Sequence, residues 1–120
     1  MVITRRAEFS ASHDCSTGLH GHNFAVEVGV EGDPDPITGM VLDLKELKEI
    51  LEREILEPFD HRFLNREVAP FDRVVPTPEN IAIEIWRRLA PHLDVAGRRL
   101  HSVRLYETED LFVDYHGGAL

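Results

Sequence analysis

The chain has no glutamine, one cysteine and one tryptophan, and nowhere does an apolar run approach the ~18 residues a membrane helix needs. A single cysteine excludes an internal disulfide and a structural zinc cage of several thiolates, and in a reducing compartment it leaves Cys15 free for chemistry. Basic residues are outnumbered, 13 Lys and Arg against 22 Asp and Glu, which gives a net charge of −9. Phosphate backbones demand a basic surface, so nucleic acid is not an expected partner. An anionic substrate must then be met by a local cluster of Arg, Lys, His or metal. The N-terminus Met1-Val-Ile-Thr-Arg-Arg lacks the apolar core of a signal peptide. With no membrane run either, this predicts a cytoplasmic protein and no membrane partner. The lack of Gln among many Arg and Glu fits a heat-tolerant composition.

What the chain does have is histidine in one place. His13, His20 and His22 put three imidazoles within ten residues, with Cys15 between them. Side chains at i and i+2 of a strand share a face, so His20 and His22 can grip one ion, with Gly21 leaving room between them. His13 ends an apolar-rich segment and supplies a third nitrogen. Three protein nitrogens with a fourth position open to water is the arrangement of a catalytic zinc. The parity of the flanking residues agrees: His20, His22, Phe24, Val26, Val28 and Val30 form one set. Ile3, Ala7, Phe9, Ala11 and His13 form another, interrupted by Arg5. Two strands are therefore predicted to present histidines at adjoining ends of an apolar face.

At 120 residues with a hydrophobic fraction of 42%, one domain spanning residues 1–120 is expected, small enough for oligomerisation to help bury its sheet faces. Strand one is predicted over Val2 to Ser12 and strand two over Asn23 to Glu31. A segment dense in turn residues, Gly32-Asp-Pro-Asp-Pro with Thr38-Gly39, then leads to an extended Met40-Val41-Leu42. Asp43 is an expected N-cap, with Glu46 completing part of a capping box. The helix behind it should bury Leu44, Leu47, Ile50, Leu51 and Ile55 and stop at Pro58. A long loop over residues 57–76 is a candidate functional segment. Thr77 and Pro78 open a second helix that uses Ile81, Ile85, Trp86 and Leu89 and ends before Pro91. Two closing strands, Leu100 to Glu107 and Leu111 to Tyr115, complete the order β-β-α-α-β-β. Four largely antiparallel strands with two helices on one face make an α+β sandwich.

Two further places carry chemistry. Asp60-His61 pairs a carboxylate with an imidazole, as a general base near neutral pH requires, or else is a surface ion pair. Glu107 shares the parity of Val103 and Leu105 and so points toward the core side of its strand. There it needs either a ligand with N–H donors or a salt bridge to Arg104 or Arg5.

Phe9-Ser-Ala-Ser-His13, His20-Gly-His22-Asn23, Gly39-Met-Val-Leu-Asp43, Asp60-His61-Arg-Phe-Leu64-Asn65, Pro76-Thr77-Pro78-Glu79-Asn80 and Tyr106-Glu107-Thr108 occur in this order. In them the chain resembles the 6-pyruvoyl-tetrahydropterin and 6-carboxy-tetrahydropterin synthase family, over nearly its whole length. The resemblance implies the T-fold, a trimeric barrel stacked into a homohexamer, and active sites at subunit interfaces. It implies that His13, His20 and His22 bind zinc, that Cys15 with Asp60 and His61 handles protons, and that Glu107 anchors a pterin ring. Thr77 would fall in the segment lining the pterin pocket. The implied substrate is 7,8-dihydroneopterin triphosphate. The product is then 6-carboxy-5,6,7,8-tetrahydropterin, for 7-deazaguanine and queuosine synthesis, or the pyruvoyl compound. A non-catalytic zinc-containing T-fold module is a third reading. Relatives usually carry a longer loop before the cysteine, whereas Cys15 follows His13 by two residues. With so short a loop Cys15 either falls short of the substrate or contacts the metal as a fourth ligand, and the prediction is that it serves instead as a proton-transfer thiol with a pKa lowered by a nearby dication.

Overall fold

A computed structural model of the chain describes residues 1–16 and 18–118. Strands β1 (Val2–Asp14) and β2 (Leu19–Gly32) form a long antiparallel hairpin. Both run further than their apolar residues suggest, because the ladder continues through the histidines at its end. The segment 40–42 is not a strand. Asp43 caps helix α1 (Leu44–Leu51), its carboxylate accepting from the Lys45 N–H. The chain stays helical through a π turn (Glu52–Leu56) into α2 (Glu57–Phe59), one residue past Pro58. Leu51, Ile55 and Phe59 are all buried. Residues four apart drift around an α-helix, and the wider π turn takes up that drift and keeps the stripe on the core. Leu44, expected in the stripe, is 54% exposed at the first position beyond the cap.

The predicted loop over 57–76 holds structure of its own. Strand β3 (Arg62–Phe63) pairs in parallel with Ala11 and Ser12 of β1, and α3 (Leu64–Glu67) follows with Leu64 fully buried. Helix α4 (Pro78–Leu93) starts as expected, Thr77 Oγ1 accepting from the Asn80 N–H. It runs through Pro91 to Leu93, because Leu89 and Leu93, four apart, are both fully buried. The closing strands β4 (Arg98–Thr108) and β5 (Leu111–Tyr115) complete a five-stranded sheet in the order β3-β1-β2-β4-β5. The expected four-stranded sheet thus gains a short parallel edge strand.

Phe9, Phe24, Val26, Val28, Val103 and Leu105 line the sheet face beneath the helices, with Leu47, Leu51, Ile55, Ile81, Ile85 and Leu89 above them. Glu84 is the buried charge of α4. Burial pushes its carboxyl up, but hydrogen bonds and charge from Arg87 and Arg88 outweigh burial and hold it below its usual range. Arg88 also donates to the Ala69 carbonyl and lies over the Phe59 ring, which ties α4 to the segment after α3.

Candidate active site

In the hairpin His13 stands directly opposite His20, and Ala11 opposite His22. Residues opposite one another, and those two apart, share a face, so all three imidazoles continue the face of Phe9 and Phe24. Phe24 floors the cluster, its ring 5.5 Å from that of His13 and 5.7 Å from that of His22. Gly21 points to the opposite face, where a side chain would meet nothing within 4 Å. It therefore keeps an outer groove open and does not make room between the histidines.

His13 is buried, and its Nδ1 lies 2.6 Å from the Pro76 carbonyl oxygen. A carbonyl only accepts, so Nδ1 carries the proton and Nε2 keeps its lone pair for a ligand. Outer-shell carbonyls fix the tautomer of metal-binding histidines in this way. From β4, Glu107 brings Oε1 to 2.9 Å from His22 Nε2 and 3.4 Å from His13 Nε2. These three residues converge closely enough to hold a metal ion. The donor set fits a borderline cation such as zinc, which takes imidazole nitrogen and carboxylate oxygen alike. His20 is exposed at the outer end of the face, its ring 6.1 Å from that of His22, and stands outside this trio. The structure thus gathers His13, His22 and Glu107, where the sequence suggested His13, His20 and His22. Neither arginine weighed as a partner for Glu107 is the one it meets here. Arg104 pairs with Asp114 on β5 instead.

Cys15 Sγ lies 3.4 Å from His13 Nδ1 and 3.4 Å from the Pro76 carbonyl oxygen. It therefore approaches His13 from the nitrogen opposite to the one facing Glu107. The short spacing keeps the thiol beside the imidazoles. Burial, then the carboxylates of Glu107, Asp14 and Glu79, push the thiol up from its ordinary pKa. The lowered value expected beside a dication has no source in these protein groups.

Asp60 and His61 pair at 3.0 Å, but they also close the sheet edge. Asp60 Oδ1 accepts from the Ser10 N–H at 2.8 Å, and the His61 N–H donates to the Ser10 carbonyl at 2.6 Å. That backbone hydrogen bond from Ser10, followed by the His61 contact, holds the Asp60 carboxyl below its usual range. The His61 side chain is 82% exposed. It lines an open groove of about 550 Å³ with Ser10, Ser12, Asn23, Arg62 and one side of His22. A second groove, about 580 Å³, runs past His22, Tyr106, Glu107 and Thr108. Pro76 and Asn65 belong to the site's surroundings although the sequence assigned them no role. Both lay inside quoted motifs, but a backbone acceptor and an amide clasp leave no residue-type signature.

An α+β sheet whose hairpin ends in clustered imidazoles facing a carboxylate, under two covering helices, defines a T-fold protein with a metal-capable site. Residues 2–118 match the family model described as 6-pyruvoyl tetrahydropterin synthase, and the chain belongs to that family. It is 41% identical to the 6-pyruvoyl tetrahydrobiopterin synthase of Pongo abelii over 133 aligned positions, covering 96% of this chain and 90% of that protein. To the putative 6-carboxy-5,6,7,8-tetrahydropterin synthase of Archaeoglobus fulgidus it is 36% identical over 120 positions, covering 95% and 94%. Among solved structures, the Caenorhabditis elegans 6-pyruvoyl tetrahydropterin synthase superposes with a TM-score of 0.90 at 29% identity, covering 98% of this chain and 96% of that one.

Proposed function

We propose that this chain is a zinc-dependent 6-carboxy-5,6,7,8-tetrahydropterin synthase that acts on 7,8-dihydroneopterin triphosphate in the route to 7-deazaguanine compounds such as queuosine. The observation that carries a pterin synthase reading is the imidazole face with Glu107 at its head, in a chain of this family. The zinc would be held by His13 and His22, with His20, its ring 6.1 Å from that of His22, as the third imidazole and Glu107 left for the substrate. Bound there, it would act as a Lewis acid toward the side-chain hydroxyls of the substrate, lowering their pKa and stabilising the charge that develops as a proton leaves carbon.

The remaining work falls to the chain's own groups. The two oxygens of Glu107 accept paired N–H donors from the guanidine-like edge of the pterin and so fix the ring's orientation. The groove beside Glu107, of about 580 Å³ with Thr108 and Tyr106 along it, would receive the bicyclic ring. Thr77, the N-cap of α4, would lie in the segment that lines the pterin pocket, by the family resemblance. Cys15 Sγ takes and returns a proton at the substrate side chain. His61, oriented by Asp60, does the same from the other groove. His61 is exposed in a groove that Cys15 does not line, which favours its serving the zinc of a neighbouring subunit.

That assignment goes with a homo-oligomer, a trimeric barrel or a stacked hexamer, in a cytoplasmic setting that keeps Cys15 reduced. The edge strand β5 leaves Leu111 and Phe112 exposed. Beside it a groove of about 500 Å³ is lined by Ile83, Trp86, Ala90 and Tyr115. Unpaired edges next to apolar surface are closed most simply by another copy.

Alignment length does not separate the two products, since the carboxy-named relatives align over 120 and 134 positions and the primate one over 133. Identity favours the pyruvoyl product, 41% against 36%. Turnover of 7,8-dihydroneopterin triphosphate with the product weighed by mass spectrometry decides between them, and zinc analysis decides the cofactor. Glu107→Gln separates the two assignments of that carboxylate. As pterin anchor its loss raises KM with zinc retained, and as a metal ligand its loss depletes zinc. Absence of both zinc and turnover would overturn the reading.

A further inference from the structure

β1 meets β3 for only two residues, Ala11 and Ser12. Alternate residues of a strand present their N–H and C=O to the same edge, so Ser10 and Asp14 face that edge on either side of the short ladder. Ser10 is met by Asp60 and His61, as described above. Asp14 is met by one side chain from α3. Asn65 Oδ1 accepts from the Asp14 N–H at 2.8 Å, and Asn65 Nδ2 donates to the Asp14 carbonyl at 3.0 Å. A primary amide offers the donor and acceptor of a peptide group, so Asn65 continues the ladder where β3 has already turned into a helix. Its neighbour Leu64 is fully buried, which holds the amide on a rigid base.

The two groups that Asn65 holds belong to different peptide units. One joins His13 to Asp14 and the other joins Asp14 to Cys15. We propose that Asn65 is a positioning residue for the reaction, its bidentate amide fixing both peptide planes between His13 and Cys15 and so setting imidazole and thiol relative to each other. This rests on the reading of His13 and Cys15 as site residues. His13 Nδ1 and Cys15 Sγ share one acceptor, the Pro76 carbonyl, at 2.6 and 3.4 Å. A shift of the strand end disturbs both contacts together. Past Cys15 the chain turns sharply, with Ser16 at φ +79°, so Asp14 is where the sheet must be held.

The test is Asn65→Ala in the full, zinc-loaded chain, beside Asn65→Asp, which keeps the acceptor for the Asp14 N–H and loses the donor. In Asn65→Ala, kcat should fall roughly tenfold to a hundredfold, as small misplacements of reacting groups do. KM should stay within about threefold, because Glu107 sits on another strand. Replacing zinc with cobalt(II) should give an altered visible absorption. Alkylation of Cys15 by iodoacetamide in metal-free protein should change several-fold, and Asn65→Asp should fall between the two. Unmutated protein should protect the Asp14 amide from hydrogen exchange, a measurement that holds even if Asn65→Ala fails to fold. An Asp14 amide exchanging at the rate of an unstructured chain would overturn the proposal. So would a folded Asn65→Ala with a lower unfolding midpoint but unchanged kcat and alkylation rate, the behaviour of a merely structural asparagine. If unmutated protein shows neither zinc nor turnover, the functional reading fails by itself, and exchange and alkylation still decide the role of Asn65.

Discussion

The same two strands carry two unlike regions on one face. Over the middle of β2, Val26, Val28 and Val30 are fully buried beneath the helices. Two residues before Phe24 the face turns to imidazole, and His22 and Glu107 stay partly open to solvent. Nothing in the backbone marks the change, since the β1–β2 register runs unbroken from Val2 to Asp14. What differs is cover: the helices pack over the apolar stretch, whereas at the hairpin end His13 lies buried against Pro76, His22 is partly open and His20 is exposed. A sheet can therefore be a core at one end and a ligand platform at the other, with Phe24 as the joint, stacked on Phe9 at 5.2 Å and edge-on to two imidazoles.

Breaking the joint should hurt both regions. Phe24→Ala should cost about 3–5 kcal/mol of stability by denaturant titration, the usual price of emptying an aromatic core site. It should also lower zinc content, because His13 and His22 lose their common floor. A variant that loses stability and keeps full metal would show the regions to be independent. Cys15→Ala touches the platform alone. It should reduce turnover by roughly a hundredfold or more, the scale of a lost proton-transfer group. Zinc content and the unfolding midpoint should hardly change. Near-normal turnover would assign the proton work to His61 and Asp60, and lost zinc would make the thiol a ligand.

Asp60→Asn probes the edge that supports the platform. Its carboxyl titrates lower in the folded chain than in the unfolded one, so its contribution is present above the unfolded value near pH 4. That contribution fades as pH falls through the folded value. The variant should lose about 1 kcal/mol at neutral pH, discounted because the side chain is 41% exposed, and its stability should fall less steeply in acid. Equal acid slopes in the two proteins would remove Asp60 from the account. Least affected should be Arg104→Ala. The bidentate Arg104–Asp114 pair lies on the solvent side of the sheet, and only a small shift in unfolding midpoint, with little change in activity, is expected.

Much of this division was legible beforehand. Alternating parity marked Phe9 to His13 and His20 to Val30 as one face. Asp43 and Thr77 announced their helices by capping chemistry, and both cap as expected. β3 was hidden because two residues are too few to show a period, and it exists only by pairing with β1. The helix end at Pro91 was misplaced because burial of Leu93 outweighs the proline. Asp60 pairs with His61 as its residue type suggests, but its further bond to the Ser10 backbone, 50 residues away, leaves no trace in the residue types.

The sequence by itself determined the apolar faces, the helix starts and the set of imidazoles at one hairpin end, because periodicity, capping and side-chain chemistry are local. Only the tertiary structure decided which groups meet there. Glu107 reaches His22 from β4, the Pro76 carbonyl fixes the His13 tautomer, and Asn65 clasps Asp14. Each contact joins segments at least 50 residues apart in the chain, so it depends on how the strands and helices dock. A hydrogen bond to a backbone group is blind to the side chain that group carries, which is why no pattern of residue types could have foretold it.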